Sequence, residues 1–549
     1  MRGVLLEDVE QTLQHRNLVA FAAAVSDAFM LSDNFGRSAA GRDMHDAAHG
    51  PGSIAALRAA IRNGHEPPPA QRVAALASYR WFVVGTVCIG GFMGQVDSSI
   101  AQLLLPRLEL EFDARLSTVS WVAVAYLLAM AAFLPIFGRL ADIVGRKLLY
   151  TGGFLLFVLG SALCGFAPNL PILIAFRVLQ AIGAALLSSN SVAIVVAAAG
   201  PERRGRALGI LSAAQAVGLS AGPAIGGLVL DALDWRWVFW INVPFGLAGT
   251  IIGWFVLPPT KDLPDDGRFD WKGAFLIAPA LTALVAVLNE GYAWGATSPA
   301  LLGCALLAII LLTLFIRAER RADAPLIDLK LFRVPAFAAG NMAGLMSYAA
   351  LFGIFFLMPF IFVRVYRDSI LAAGLRLSIV PVMLGAVAPV GGALYDRLGA
   401  RTLTASGMLI CVIALILLFA VLDGAPSGLP LVMLALAVFG VGQGLFISPN
   451  NSAIMAAAPA SLTGEAGGLL NVMRSFGISV GVAAASSLLS WRLAVLTGSG
   501  HSTLHADAPQ LLSAGGDVIV LLAGFAAIAG AISLATPSRR ARGTSDALA

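Results

Sequence analysis

Fourteen continuous apolar runs follow one another from Tyr79 almost to the end of the chain, at about 80–105, 116–138, 148–167, 171–197, 207–230, 237–257, 273–290, 298–317, 336–363, 371–394, 402–422, 430–455, 466–490 and 516–535. A helix of about 20 apolar residues spans the hydrocarbon core of a bilayer and bonds its own backbone groups where no water can. A membrane barrel would alternate polar and apolar residues in stretches of about ten, and no such alternation is present. Only 12% of the 549 residues are charged, against about 25% in soluble domains. Mean hydropathy is +0.84. The expected fold class is an all-α membrane protein with 14 transmembrane helices.

Loop charge sets an expected orientation. Arg139, Arg146 and Lys147 follow the second run, and Arg203, Arg204 and Arg206 the fourth. Lys261, Arg268 and Lys272 follow the sixth, Arg317, Arg320, Arg321, Lys330 and Arg333 the eighth, and Arg397 and Arg401 the tenth. Loops on the other side are poorer in Lys and Arg, so both termini are expected in the cytoplasm, with a multi-pass location in the cytoplasmic (inner) membrane. The net charge of +5 is therefore a matter of orientation in a lipid bilayer, and nucleic acid is not an expected partner. Residues 1–78 are polar and lack a secretory signal. They read as a cytoplasmic extension, partly helical or disordered, or as sequence upstream of the true start. Cys88, Cys164, Cys304 and Cys411 lie in or beside apolar runs and read as packed thiols. No metal-ligand spacing appears beyond His501 and His505 in one loop, and no phosphate-cradling loop points to ATP. No catalytic constellation is visible, so an enzyme is not expected.

A short motif occurs twice. Gly138, Asp142, Gly145, Arg146 and Lys147 after the second run are matched by Gly392, Asp396, Arg397, Gly399 and Arg401 after the tenth, with Gly four residues before Asp and Gly three after it in both copies. Such a repeat implies two halves packed face to face around a substrate path. Eight runs separate equivalent points, so two helices must be inserted between two sets of six. The expected division is 79–257 for the first bundle, 258–334 for the inserted pair, 335–536 for the second bundle and 537–549 for a cytoplasmic tail. An Asp at a helix end beside basic residues can hold a neighbouring helix by charge-assisted hydrogen bonds. That makes each loop a candidate cytoplasmic gate, beside its simpler role as an orientation signal.

Three intramembrane features add chemistry. Asp97 lies far from either end of its run, where a carboxylate costs about 2.5–3.5 kcal/mol on insertion scales. Arg177 in the fourth run falls at a similar depth and is a candidate partner. The fifth run carries Gly218, Gly222, Pro223, Gly226 and Gly227, a pattern that permits close helix approach and a bend.

Taken together, these residues resemble the major facilitator superfamily, and within it the fourteen-helix branch of drug:proton antiporters. The likeness covers about residues 80–535. The loop motif is similar to the superfamily signature between helices two and three, and Gly218 to Gly227 to the signature associated with exporters. Asp97 to Pro106 resembles the first-helix signature, and Leu173 to Ala185 the fourth-helix one, with Ala181 where that signature usually has Gly. The resemblance implies two six-helix bundles plus two inserted helices, no cofactor, and a proton gradient as driving force. It implies that Asp97 and Arg177 approach each other and handle proton coupling. Arg177 would stabilise the ionised carboxylate and be released on its protonation, so that a cationic substrate and a proton compete for Asp97. The function implied is efflux of lipophilic or cationic drug-like compounds, hence drug resistance.

Trp121, Tyr126, Gln180, Gln215, Asn341 and Tyr348 are candidates for a substrate cavity, with Asn450, Asn451, Asn471 and Arg474 behind them. Interhelical packing explains such residues equally well. Glu290 reads as a solvated loop residue and Arg376 as a snorkelling one. Trp235, Trp237 and Trp240 read as an interfacial belt with Asn242 and Pro244. Two other functions stay open: export of one metabolite or antibiotic, and a non-transporting membrane sensor or scaffold. A periplasmic adaptor as partner is also left open.

Overall fold

The computed structural model describes residues 66, 68–76, 78–200, 203–259, 270–295, 297–322, 325–459, 462–498 and 503–535. The polar stretch 1–65, His501 and the basic tail lie outside the described residues, as do the side chains of Asp142 and Asp396. Fourteen helices are long and apolar enough to cross a membrane. They are α1 Tyr79–Phe112, α2 Leu116–Ala141, α3 Arg146–Gly165, α4 Leu170–Ala199, α5 Arg204–Ala232, α6 Trp237–Val256 and α7 Lys272–Gly291. The second seven are α8 Pro299–Glu319, α9 Pro335–Val365, α10 Ile370–Tyr395, α11 Ala400–Val421, α12 Pro426–Ala457, α13 Glu465–Thr497 and α14 Ala508–Ala535.

Every expected run is a helix, and α1, α13 and α14 run well past one end of the apolar pattern. Pro106 does not stop α1, which continues to Phe112. Packing within a membrane bundle lets a proline sit inside a helix. The adjoining ends of α13 and α14 extend past their apolar cores, and Arg492 of α13 pairs with Asp517 of α14 there.

The packing is duplicated. In the first half α1 packs on α5, α2 on α4, α3 on α4, and α6 on both α3 and α1. Adding eight to each helix number gives the second half: α9 on α13, α10 on α12, α11 on α12, and α14 on α11 and α9. The contacts between halves obey the same rule, α2 against α13 and α5 against α10. Helices α7 and α8 pack on each other, and α7 also lies against α2 and α13. Ser120 donates to Asn289 Oδ1 at 2.9 Å and Trp121 Nε1 to Glu290 Oε1 at 2.7 Å. Glu290 is therefore a bonded helix residue at the α2–α7 contact, not a solvated loop residue, and Trp121 faces α7 rather than a cavity.

The repeated loop motif has a repeated backbone. Gly145 after α2 has φ +114°, and Gly399 after α10 has φ +77°. Their N–H groups bond Ala141 O and Tyr395 O at 3.0 and 2.9 Å. With ψ +136° and +160° these glycines lie in a region essentially confined to glycine, where a side chain costs about 1–3 kcal/mol; this accounts for the second glycine of each copy. Among the described residues the first copy has a further partner. Glu66 accepts from Leu148 N at 3.1 Å, capping the start of α3. A Cβ on Gly145 would lie 2.9 Å from Glu66 Cδ, whereas nothing stands within 4 Å of one on Gly399. Gly399→Ala should therefore cost only the backbone term, and Gly145→Ala measurably more. Thermal unfolding of the two variants in detergent checks this, and equal losses would mean that Glu66 does not constrain the loop.

Candidate functional site

A closed polar network forms where α1, α2, α3, α4 and α6 converge. Asp97 and Arg177 are 3% and 0% exposed. Arg177 Nη1 donates to Asp97 Oδ2 at 2.8 Å and to Gln180 Oε1 at 2.7 Å, and its Nε donates to Val122 O at 3.1 Å. Asp97 Oδ1 accepts from Gln180 Nε2 at 2.8 Å and from Asn242 Nδ2 at 3.1 Å. Both amides also reach Ser161 Oγ at 3.2 Å, and Ser161 in turn donates to Phe239 O at 2.8 Å. The Tyr126 ring lies 4.1 Å from the guanidinium carbon of Arg177. Both carboxylate oxygens are thus bonded by N–H donors, as a buried charge requires.

Close helix approach makes this convergence possible. A Cβ at Gly160 would lie 2.5 Å from Gln180 Cα, and one at Gly183 2.7 Å from Phe157 Cα. Glycines at these two places bring α3 and α4 together. Ala181, in the same stretch of α4, is fully buried.

Beside the network lies a cavity of about 120 Å³. It is lined by Gly91, Gln95 and Ser98 of α1, Tyr126 and Met130 of α2, Ser188 and Ser191 of α4, Ser212 and Gln215 of α5, and Asn471 and Arg474 of α13. The lining of α4, α5 and α13 comes from the halves of those helices nearest the repeated loops. The cavity therefore lies on the motif side.

The opposite end is shut. Gly218, Gly222 and Gly226 place α5 directly on α1, where added Cβ atoms would meet Phe92 O at 2.6 Å, Ser99 Cβ at 3.0 Å and Ile100 Cγ1 at 3.1 Å. Gly227 meets α10 instead, 2.9 Å from Leu371 Cα, and Pro223 O fills the place of a side chain on Gly374. Glu109, fully buried near the end of α1, accepts from Thr503 N at 2.7 Å and from the Thr503 hydroxyl. Thr503 lies between α13 and α14, so this contact also joins the two halves.

Of the expected cavity residues, Tyr126 and Gln215 line it. Gln180 belongs to the Asp97 network, and Tyr348 lies beneath Arg474, its ring centroid 5.2 Å from the guanidinium. Asn341 is 1% exposed and donates to Phe337 O, while Asn450 donates to Gly340 O, so both serve packing of the second half. Asp97 is not among the lining residues, so direct competition of substrate and proton for its carboxylate has no geometric basis in this arrangement. The gate residues Gly138, Arg146, Lys147, Gly392, Arg397 and Arg401 lie at the motif-side ends of α2, α3, α10 and α11. Arg376 is not a free snorkelling residue, because it pairs with Asp368. The aromatic belt also needs correction: Trp237 is 45% exposed, but Trp235 is buried at 1% and Asn242 at 4%. Asn242, Ser161 and Glu109 are the polar residues that sequence reasoning missed.

The family model of the Major Facilitator Superfamily matches residues 87–482. The chain belongs to that superfamily. It is 34% identical over 414 residues to the riboflavin transporter RibZ of Clostridioides difficile, covering 75% of this chain and 89% of that one. It is 31% identical over 437 residues to the multidrug resistance protein B homolog of Mycobacterium tuberculosis, covering 78% of each. It is 31% identical over 414 residues to the tetracenomycin C resistance and export protein of Streptomyces glaucescens, covering 75% and 76%. Among solved structures, a bacterial homolog of the lysosomal transporter Spinster superposes with a TM-score of 0.60 at 16% identity, covering 84% of this chain and 97% of that one. The fold is that of the superfamily, two six-helix bundles with an inserted pair.

Replacing Asn242 by Leu leaves Asp97 and Ser161 each one donor short, and should lower stability by about 1–3 kcal/mol. Trp237→Leu, at an exposed position of the same helix, should stay within about 0.5 kcal/mol. Melting temperatures in detergent compare them, and a belt role for Asn242 would make the two alike.

Proposed function

We propose that the chain exports small organic, drug-like compounds across the cytoplasmic membrane in exchange for protons, by alternating access. The observation that carries this reading is the Asp97–Arg177 pair, fully buried and yet one side chain away from the cavity. Tyr126 belongs to both, stacking on Arg177 and lining the cavity. Protonation of Asp97 removes the counter-charge of a guanidinium that cannot lose its own proton. Arg177 must then find new partners, and α4 and α1 are the helices it would move. Because Gln95 and Ser98 of α1 line the cavity, a shift of α1 changes the site that cargo occupies. Coupling is thus indirect, through helices, rather than by competition for one carboxylate.

The Arg- and Lys-rich loops favour a cytoplasmic motif side, and with it cytoplasmic termini. In this arrangement the cavity takes cargo from the cytoplasm while the Gly227–Leu371 and Glu109–Thr503 contacts hold the other end closed. Rocking of the halves would break those contacts and bring the two motif loops together. Relatives named for multidrug resistance and for tetracenomycin C export support a drug-like cargo. The relative named for riboflavin favours a second reading, a carrier dedicated to one compound.

The test is a pH change driven by substrate in proteoliposomes, with a panel of dyes of differing charge. Asp97→Asn should abolish the proton flux that accompanies transport, and Arg177→Lys should not preserve it, since an ammonium cannot span Val122 O, Asp97 and Gln180 in the same plane. Coupled transport by Asp97→Asn at the rate of the unmodified protein would remove the pair from this role. Wide dye tolerance supports the multidrug reading, and transport of a single compound the dedicated one.

A further inference from the structure

The charge of the cavity is opposite to what a cationic cargo needs. We infer that the compounds it takes carry an anionic group, a carboxylate, phenolate or phosphate, which pairs with Arg474. This rests on the export reading above and narrows it to organic acids.

Arg474 lines the cavity from α13 and has no ion pair or hydrogen bond among the described residues. Its guanidinium lies over the Tyr348 ring of α9 instead. A cation–π contact fixes the plane of the group without consuming its N–H donors. Those donors are accessible, since none of them is a sealed, unbonded atom like Nη2 of Arg177. Around it stand the amides of Gln95, Gln215 and Asn471, whose side chains make no hydrogen bond among the described residues. No Asp or Glu lines the cavity among the described residues. The nearest buried carboxylate of the mechanism, Asp97, is occupied by Arg177, Gln180 and Asn242.

An arginine in a pocket walled by low-dielectric helices, with no counter-ion, repels cations and attracts anions. Its fork of donors matches the two oxygens of a carboxylate or phosphate. The unbonded amides add neutral donors and acceptors for the rest of the molecule, and Tyr126 supplies an aromatic wall. An aromatic acid meets each of these groups with a complementary one. A lipophilic cation meets no carboxylate among the described residues to pair with its charge.

Two dyes on one ring framework test this: fluorescein, an anion at neutral pH, and a rhodamine ester, a cation. Binding is measured by fluorescence anisotropy on the full chain in detergent, so the result does not depend on proton coupling. Fluorescein should bind saturably and more tightly than the rhodamine ester. Arg474→Gln should weaken fluorescein by about tenfold or more, the scale of a lost charge-assisted bond, and Arg474→Lys by less. The same Gln variant should leave the rhodamine ester unchanged or bound more tightly. Tighter binding of the rhodamine ester to the unmodified protein overturns the inference without any variant, as does equal fluorescein affinity in the unmodified protein and folded Arg474→Gln. Fluorescein binding that depends on Arg474, in a protein that moves no protons, would uphold this inference while sinking the antiport reading.

Discussion

Burying Asp97 against Arg177 is the constraint to which the first bundle is fitted. An ion pair inside a membrane protein gives little net stability unless every lone pair and proton it exposes is satisfied. Here that demand recruits Gln180 from the same helix, Asn242 from α6, Ser161 from α3 and the carbonyl of Val122 from α2. Five helices are thereby tied to one charge. Arg177 Nη2 and the Tyr126 hydroxyl beside it are sealed in without hydrogen-bond partners among the described residues. The glycines at 160 and 183 follow from the same requirement, because the donors cannot converge unless α3 and α4 approach backbone to backbone.

Duplication supplies the frame that turns a local charge change into movement. Each helix contact of the first half has its counterpart eight helices later, and the contacts between halves share the relation. The two loop glycines show the duplication at the level of a single φ angle. The halves are alike in backbone and unlike in chemistry: among the described residues the second half has no match for the Asp97 network, and Ser347 simply donates to Gln443 there at 2.7 Å. The Asp97–Arg177 pair is thus in one bundle, and the arginine that lines the cavity is in the other.

The helices and the repeat were legible because each rests on a local pattern: run length, loop charge, and Gly at a fixed offset from Asp. Asp97 and Arg177 stood out as charges in apolar runs, and their pairing came from the family likeness, which local pattern could not supply. Asn242 was misread because three tryptophans surround it, and tryptophans signal an interface; only the fold shows that Trp235 and Asn242 turn inward. Glu109 was hidden by Pro106 and Arg107, which read as the end of a helix that in fact continues. Trp121 and Asn341 look like cavity residues by type, but which face of a helix meets a cavity depends on its neighbours. For Glu109, the signal available was a carboxylate within one turn of a proline that need not break a membrane helix.

The position of α7 has a consequence for how cargo arrives. A molecule dissolved among lipid tails could slip between the bundles along either of two seams, α2 with α13 or α5 with α10. Helix α7 lies against both members of the first seam, anchored to α2 through Trp121 and Asn289, with α8 beyond it in the hydrocarbon. That flank is curtained off from the bilayer. Sideways entry is left to the other flank, which makes the two sides of a nearly twofold molecule unequal to anything approaching through lipid.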